Sequence, residues 1–184
     1  MTTHQSTYAT VPTEFITAAN GITFAYRRLG QKQTVPIIYF GHLTANLDNA
    51  DPSIMDALAT RHEIISFDYR GVGASSGDDA ESIADMAKDG LAFIKALGYE
   101  KVDILAFSMG GFITQELMAL EPTLVRKLIL AGTGPRGAKA SAMSSGLRTW
   151  TWPKHYLRSL TLNITCFSTR PTPVNRPRVC SWIA

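Results

Sequence analysis

Carboxylates are missing from the last third of this 184-residue chain, where residues 122 to 184 hold 10 Lys and Arg and no Asp or Glu. All 15 carboxylates lie in residues 1 to 121, together with the other 8 Lys and Arg. The net charge of +3 therefore hides an acidic stretch followed by a basic one. Cysteine is scarce too: the 2 present, Cys166 and Cys180, form no C-x-x-C pair and border no His-rich pattern. Neither a disulfide scaffold nor a metal site is indicated. No apolar run reaches the ~20 residues needed to cross a bilayer, and the polar opening MTTHQSTYAT lacks a basic n-region and an apolar h-region. A cytoplasmic protein without a membrane span is the expectation. What is present is ordinary: 45% hydrophobic, 18% charged, 14 Gly and 9 Pro fit one globular domain and exclude collagen or disorder throughout.

Periodicity orders the first three quarters. Asn20-Gly21 between the short runs Phe15 to Ala18 and Ile22 to Arg27 predicts an opening hairpin. Val35 to Phe40, Glu63 to Phe67, Val102 to Phe107 and Lys127 to Ala131 are short apolar runs rich in β-branched and aromatic residues, as expected of strands buried on both faces. Between them lie helical patterns. Asp51-Pro52 caps a helix running to about Thr60, Ile83 to Ile94 repeats at helical spacing before Gly98, and Gly111 to Leu120 stops at Glu121-Pro122. The predicted order is β-β-β-α-β-α-β-α-β, which implies a mainly parallel sheet with helices on both faces.

Chemistry concentrates where the strand at Val102 meets the next helix. Ala106-Phe107-Ser108-Met109-Gly110-Gly111 would put a serine on a tight strand-to-helix turn, with small residues at 106 and 110 making room. Its hydroxyl would then project above the carboxyl end of the sheet. The Met109 backbone N–H, at the helix N-terminus, would face a developing oxyanion. Read blandly, Ser108 is a helix N-cap, His42 a satisfied loop histidine, His62 a surface residue, and Asp68 and Arg70 loop-structuring residues.

In this order the motifs resemble the α/β-hydrolase family. Ala106-Phe107-Ser108-Met109-Gly110 is similar to its G-x-S-x-G nucleophile elbow, with Ala106 in place of the first glycine. Asp68 to Gly77 looks like its D-x-R-G-x-G-x-S loop, and Phe40-Gly41-His42-Leu43-Thr44 like a variant of its oxyanion loop. The resemblance covers roughly residues 11 to 135 and leans toward the esterase, lactonase and cofactor-free haloperoxidase branch. It implies an α/β-hydrolase-type sheet with Ser108 as nucleophile, attacking a small-molecule ester or lactone carbonyl through an acyl-enzyme. The backbone N–H groups of Met109 and Thr44 would form the oxyanion hole, with Leu43 the second donor if the register slips. No metal or cofactor is implied. A non-catalytic module binding a small ligand in the same pocket is the alternative, and perhydrolysis would use the same residues.

That family places an acid and then a histidine after the nucleophile. Downstream of Ser108 the only carboxylates are Glu116 and Glu121, both local to the helix that begins there, and the only histidine is His155. The sheet is therefore expected to be incomplete at its C-terminal side, with the Lys127 strand as an exposed edge and turnover weak or absent. Residues 1–137 read as the N-terminal part of the hydrolase domain and 138–184 as an atypical basic tail. All three Trp, both Cys and four prolines (Pro153, Pro171, Pro173 and Pro177) crowd that tail without capping or period. A frameshift explains it; the competing explanation is a native basic arm for nucleic acid or anionic lipid. Its basic residues are scattered rather than clustered, which disfavours nucleic acid. Oligomeric state is not legible.

Overall fold

The computed structural model describes residues 7–135 and 164–167. Asn20-Gly21 turns the chain between β1 (Glu14–Thr17) and β2 (Thr23–Leu29), with Gly21 at φ 81° and the Asn20 side-chain oxygen accepting the Ile22 N–H at 3.3 Å. After them come β3 (Ile37–Phe40), α1 (Pro52–Ala59), β4 (Ile64–Phe67), α2 (Ile83–Ala96), β5 (Val102–Phe107), α3 (Met109–Leu120) and β6 (Val125–Ala131). This is the order predicted from periodicity. The caps are those the sequence marks: Asp51 accepts the Ser53 N–H ahead of Pro52, Ser82 accepts the Asp85 N–H, and Gly98 follows α2 at φ 81°.

The sheet runs β1-β2-β4-β3-β5-β6 and ends on a seventh strand, β7 (Ile164–Phe167). β1 with β2 and β2 with β4 are antiparallel, and every later pairing is parallel. The last strand corrects an expectation. The sequence leaves the strand at Lys127 as an exposed edge, whereas β7 pairs with β6 from Leu128↔Ile164 to Ala131↔Phe167. Ile-Thr-Cys-Phe carries β-branched and aromatic residues suited to an edge strand, and four residues are too few to stand out among the surrounding Pro, Arg and Ser. His155, Cys180 and the 137/138 boundary lie outside the described residues.

Alternation along the strands explains their all-apolar sequence. Ile38, Phe40, Ile65 and Phe67 face one cluster, where Phe67 stacks on Phe93 of α2 at 4.4 Å and Ile113 and Leu117 of α3 close the layer. Ile37 and Ile64 face the other side, with Met55 of α1 and Tyr8. Helices thus cover both faces. Tyr8 is a deep anchor for the N-terminal segment: its hydroxyl donates to the Leu47 carbonyl at 2.8 Å and lies 2.7 Å from the Ser66 hydroxyl.

Candidate active site

Strand order reverses around β3: the chain leaves it toward β4 on one side and returns to β5 on the other. In open α/β sheets the loops beyond the carboxyl ends at such a point form a crevice where ligands bind. Here those loops are residues 41 to 46 after β3 and the turn at Ser108 after β5.

Ser108 has φ 53° and ψ −114°, one of two non-glycine residues with positive φ among the described residues. An L-residue held there is strained and persists only where its surroundings over-determine it. Its N–H donates to Ala131 of β6 at 2.9 Å and its carbonyl accepts the Gly111 N–H at 3.1 Å, so backbone bonds fix the turn on both sides. Although Ser108 occupies the N-cap position of α3, its side chain makes no capping hydrogen bond. Ser108 is half-buried, and among the described residues its hydroxyl has no hydrogen-bond partner.

Small residues make the turn possible. A Cβ on Gly110 would lie 2.2 Å from the Phe40 carbonyl oxygen and 2.9 Å from that of Gly41, and one on Gly111 would lie 2.4 Å from the Thr133 side chain. The start of α3 therefore sits directly on the end of β3. Ala106, where the motif has its first glycine, is fully buried between Phe40 and Leu130 of the flanking strands. Gln115, one turn further along α3, donates to the Gly111 and Gly134 carbonyls at 2.9 Å and ties the helix to the segment after β6.

The second positive φ is at Thr44, 61°. Ala45 N–H donates to the His42 carbonyl at 3.2 Å, closing a four-residue turn with Thr44 as its third residue. The Leu43 carbonyl lies 2.7 Å from both His42 Nδ1 and the Thr44 hydroxyl, which fixes the plane of the Leu43–Thr44 peptide. Among the described residues the Thr44 and Met109 N–H groups have no intramolecular acceptor. The His42 ring packs edge-on against Phe107 at 5.8 Å, and Phe107 and Leu43 expose apolar surface beside the turn.

Asp68 and Tyr69 follow β4 and close the crevice from the other side. Both are buried. Tyr69 OH donates to the Gly41 carbonyl at 2.9 Å; burial pushes its phenol far above the ordinary range, so it stays protonated and a donor. Asp68 accepts the Leu47 and Ala74 N–H groups at 2.7 and 2.9 Å. Burial pushes its carboxyl up, while these two N–H groups draw it back. Arg70 pairs with Asp89 of α2 at 2.9 Å, and Asn20 donates to the other oxygen of Asp89, so Arg70 ties the loop to the hairpin. His62 is exposed, as expected.

Glu116 sits within α3, and Glu121 follows it, 3.6 Å from Lys95. The described segment beyond β6, Gly132 to Pro135, holds neither acid nor histidine. Among the described residues no group of three or more His, Cys, Asp or Glu could hold a metal, and no helix is long and apolar enough to cross a membrane. A cavity of about 680 Å³ with a mixed polar and apolar lining opens at the opposite end of the strands, beside Val11, Arg28, Leu29, Asp56 and Arg61.

The alpha/beta hydrolase fold model matches residues 35–153. The chain belongs to that family. It is similar to mouse serine hydrolase BPHL, 28% identical over 131 residues that make up 69% of this chain and 45% of that protein. A poly(3-hydroxyalkanoate) depolymerase from Ectopseudomonas oleovorans is 30% identical over 138 residues, 71% of this chain and 48% of its own. Among solved structures, an alpha/beta hydrolase fold protein from Chitinophaga pinensis superposes with a TM-score of 0.70 at 39% identity, covering 84% of this chain and 57% of that one. The chain spans about half the length of the curated relatives it matches. Within this fold the signals the sequence did not carry are contacts between distant segments: the Tyr69 hydroxyl on Gly41, the Asp68 carboxylate on Leu47, and Gln115 on Gly134.

Proposed function

We propose that Ser108 is the nucleophile of an acyl-transfer site acting on the carbonyl of a small-molecule ester or lactone. The observation that carries this is its backbone, φ 53° and ψ −114° at a strand-to-helix turn beside the strand-order reversal, with a hydroxyl committed to no cap. Ser108 Oγ attacks the carbonyl carbon, and the Met109 and Thr44 N–H groups donate to the oxygen as it becomes an oxyanion. Collapse expels the alcohol and leaves an acyl-serine, which water then hydrolyses. The relatives named serine hydrolase and poly(3-hydroxyalkanoate) depolymerase support a serine-dependent hydrolytic reading.

The hydroxyl proton needs an acceptor, and the described residues after Ser108 supply no histidine. We therefore infer weak turnover. In serine proteases stripped of their triad, an oxyanion hole and binding alone keep roughly 10³ to 10⁴ over water, far below a full triad. The test is covalent: a fluorophosphonate ester should form an adduct on Ser108, read by mass spectrometry, and none on Ser108→Ala. No adduct on the wild type overturns the reading. Ester hydrolysis should change little in Ser108→Ala, and a large loss would reveal a working base.

That the described residues after Ser108 hold no histidine favours one second reading, a pocket that binds a small ligand without turning it over. Ligand-dependent thermal stabilisation that survives Ser108→Ala, without labelling, would support it. The division at 137/138 and the frameshift are tested by resequencing the coding DNA across codons 130 to 184 and reading all three frames.

A further inference from the structure

We propose that Asp68 and Tyr69 are positioning residues that clamp both ends of the loop after β3 and so hold the Thr44 N–H in place over the Ser108 turn; this rests on the reading of Ser108 and Thr44 above. The loop leaves β3 at Gly41 and enters a short 3-10 turn at Leu47–Asn49. At its first residue the Gly41 carbonyl accepts the buried Tyr69 hydroxyl at 2.9 Å. At its last the Leu47 N–H donates to Asp68 Oδ1 at 2.7 Å, while the Leu47 carbonyl accepts the Tyr8 hydroxyl at 2.8 Å. Between these fixed ends lies the strained turn at Thr44. Rotation of the Leu43–Thr44 peptide about its flanking bonds would swing the Thr44 N–H away, and anchored ends restrict that rotation.

The clamp reaches the nucleophile directly. Gly110, two residues after Ser108, sits so close to the Phe40–Gly41 peptide that any Cβ there would collide with it. The Gly41 carbonyl is thus held between the Tyr69 hydroxyl and the first turn of α3. Loop 68 to 77 is in turn built around the Asp68 carboxylate. A Cβ on Gly73, at φ 58°, would lie 2.2 Å from Asp68 Oδ2; Ala74 N–H binds that same oxygen, and Ser75 Oγ donates to the Asp68 carbonyl at 2.8 Å. Glycine at 73 is required so that the backbone can wrap the carboxylate. Oxyanion donors act through preorganisation, so a donor on a loosened loop loses part of its effect even when the nucleophile is intact.

The experiment compares Tyr69→Phe with Tyr99→Phe, which removes a phenol hydroxyl bonded to Glu63 at the other end of the sheet. Two readouts are taken below both melting midpoints: hydrogen exchange of peptides covering 41 to 50, and the rate of Ser108 labelling by the fluorophosphonate. Tyr69→Phe should raise exchange in residues 41 to 47 about five- to tenfold and slow labelling by a similar factor, while Tyr99→Phe does neither. Asp68→Asn should act in the same direction from the Leu47 end. Unchanged exchange in Tyr69→Phe, an equal rise in Tyr99→Phe, or faster exchange with unchanged labelling overturns the proposal. If the wild type is not labelled at Ser108, the nucleophile reading is what fails, and exchange alone decides whether the loop is clamped.

Discussion

Glu63 and Asp68 bracket β4, both buried, yet Glu63 meets a cation, a phenol and one backbone N–H, whereas Asp68 meets backbone N–H groups alone. At the amino end of the strand Glu63 accepts the Tyr99 hydroxyl at 3.0 Å and the Gln33 N–H at 2.7 Å, and it lies 3.4 Å from the Arg28 guanidinium. At the carboxyl end Asp68 accepts two backbone N–H groups, from Leu47 and Ala74, and among the described residues no cation forms an ion pair with it. The same charge does different work at the two ends. Glu63 fastens β2, β4 and the segment after α2 through a cation and a phenol; Asp68 folds two loops around itself beside the crevice. This agrees with the general asymmetry of open parallel sheets, where ligands are met beyond the carboxyl ends.

The sharpest way to break this contrast is Glu63→Ala. It leaves the Arg28 guanidinium, the Tyr99 hydroxyl and the Gln33 N–H without their partner in a buried setting, and should lower stability by about 3 kcal/mol in urea unfolding. Ser108 labelling, measured where the variant is still folded, should stay within about twofold of wild type, as expected for a fastening far from the reacting group. A tenfold drop in labelling would mean the two ends are coupled through β4.

Gly110→Ala should do the reverse. Its Cβ would meet the Phe40 carbonyl oxygen at 2.2 Å, and backbone cannot move aside as a flexible side chain would. Overpacking of this kind costs about 1 to 3 kcal/mol, less than the Glu63 loss, but the shift falls on the junction of the loop and the nucleophile turn. Labelling at Ser108 should fall below detection while most of the chain still unfolds cooperatively. Retained labelling would mean that the close approach of α3 to β3 does not govern the site.

Much of this was legible locally. The apolar run Val102 to Phe107 marks a strand with the bounds it has, and Asp51-Pro52, Asn20-Gly21 and Gly98 mark their turns and caps because each acts within a few residues of itself. The serine on its turn followed from the same kind of signal. What the sequence could not give is pairing across distance. Tyr69 and Gly41 are 28 positions apart, Tyr99 and Glu63 36, and Tyr8 and Ser66 58, and no periodicity encodes which polar group will meet which. Asp68 and Arg70 read as loop-structuring in the sequence, and the contacts through which they hold their loop are visible only in three dimensions. β7 was missed because four strand-like residues carry too little signal against their neighbours.

The smallest expected effect is a slope rather than a loss. Burial pushes the Asp68 carboxyl above the ordinary 3.8, and the Ala74 and Leu47 N–H groups pull against it. The folded chain therefore binds this proton more tightly than the unfolded chain does. Stability owed to Asp68 is complete below the ordinary value and is lost as pH rises through the folded one. Asp51 and Asp85 run the other way: hydrogen bonds from Ser53, and from Ser82 and Lys88, hold them low, so their contribution is present above the ordinary value and lost on acidification. Whole-protein acid curves mix the three, whereas the difference between wild type and Asp68→Asn isolates one. That difference in urea midpoint should move against the wild type as pH rises from below 3.8 toward neutrality. Movement in favour of the wild type would mean that the two N–H bonds to the ionised carboxylate outweigh its burial. Asp68 would then act as a charge, and the distinction between the two ends of β4 would be one of partners and position.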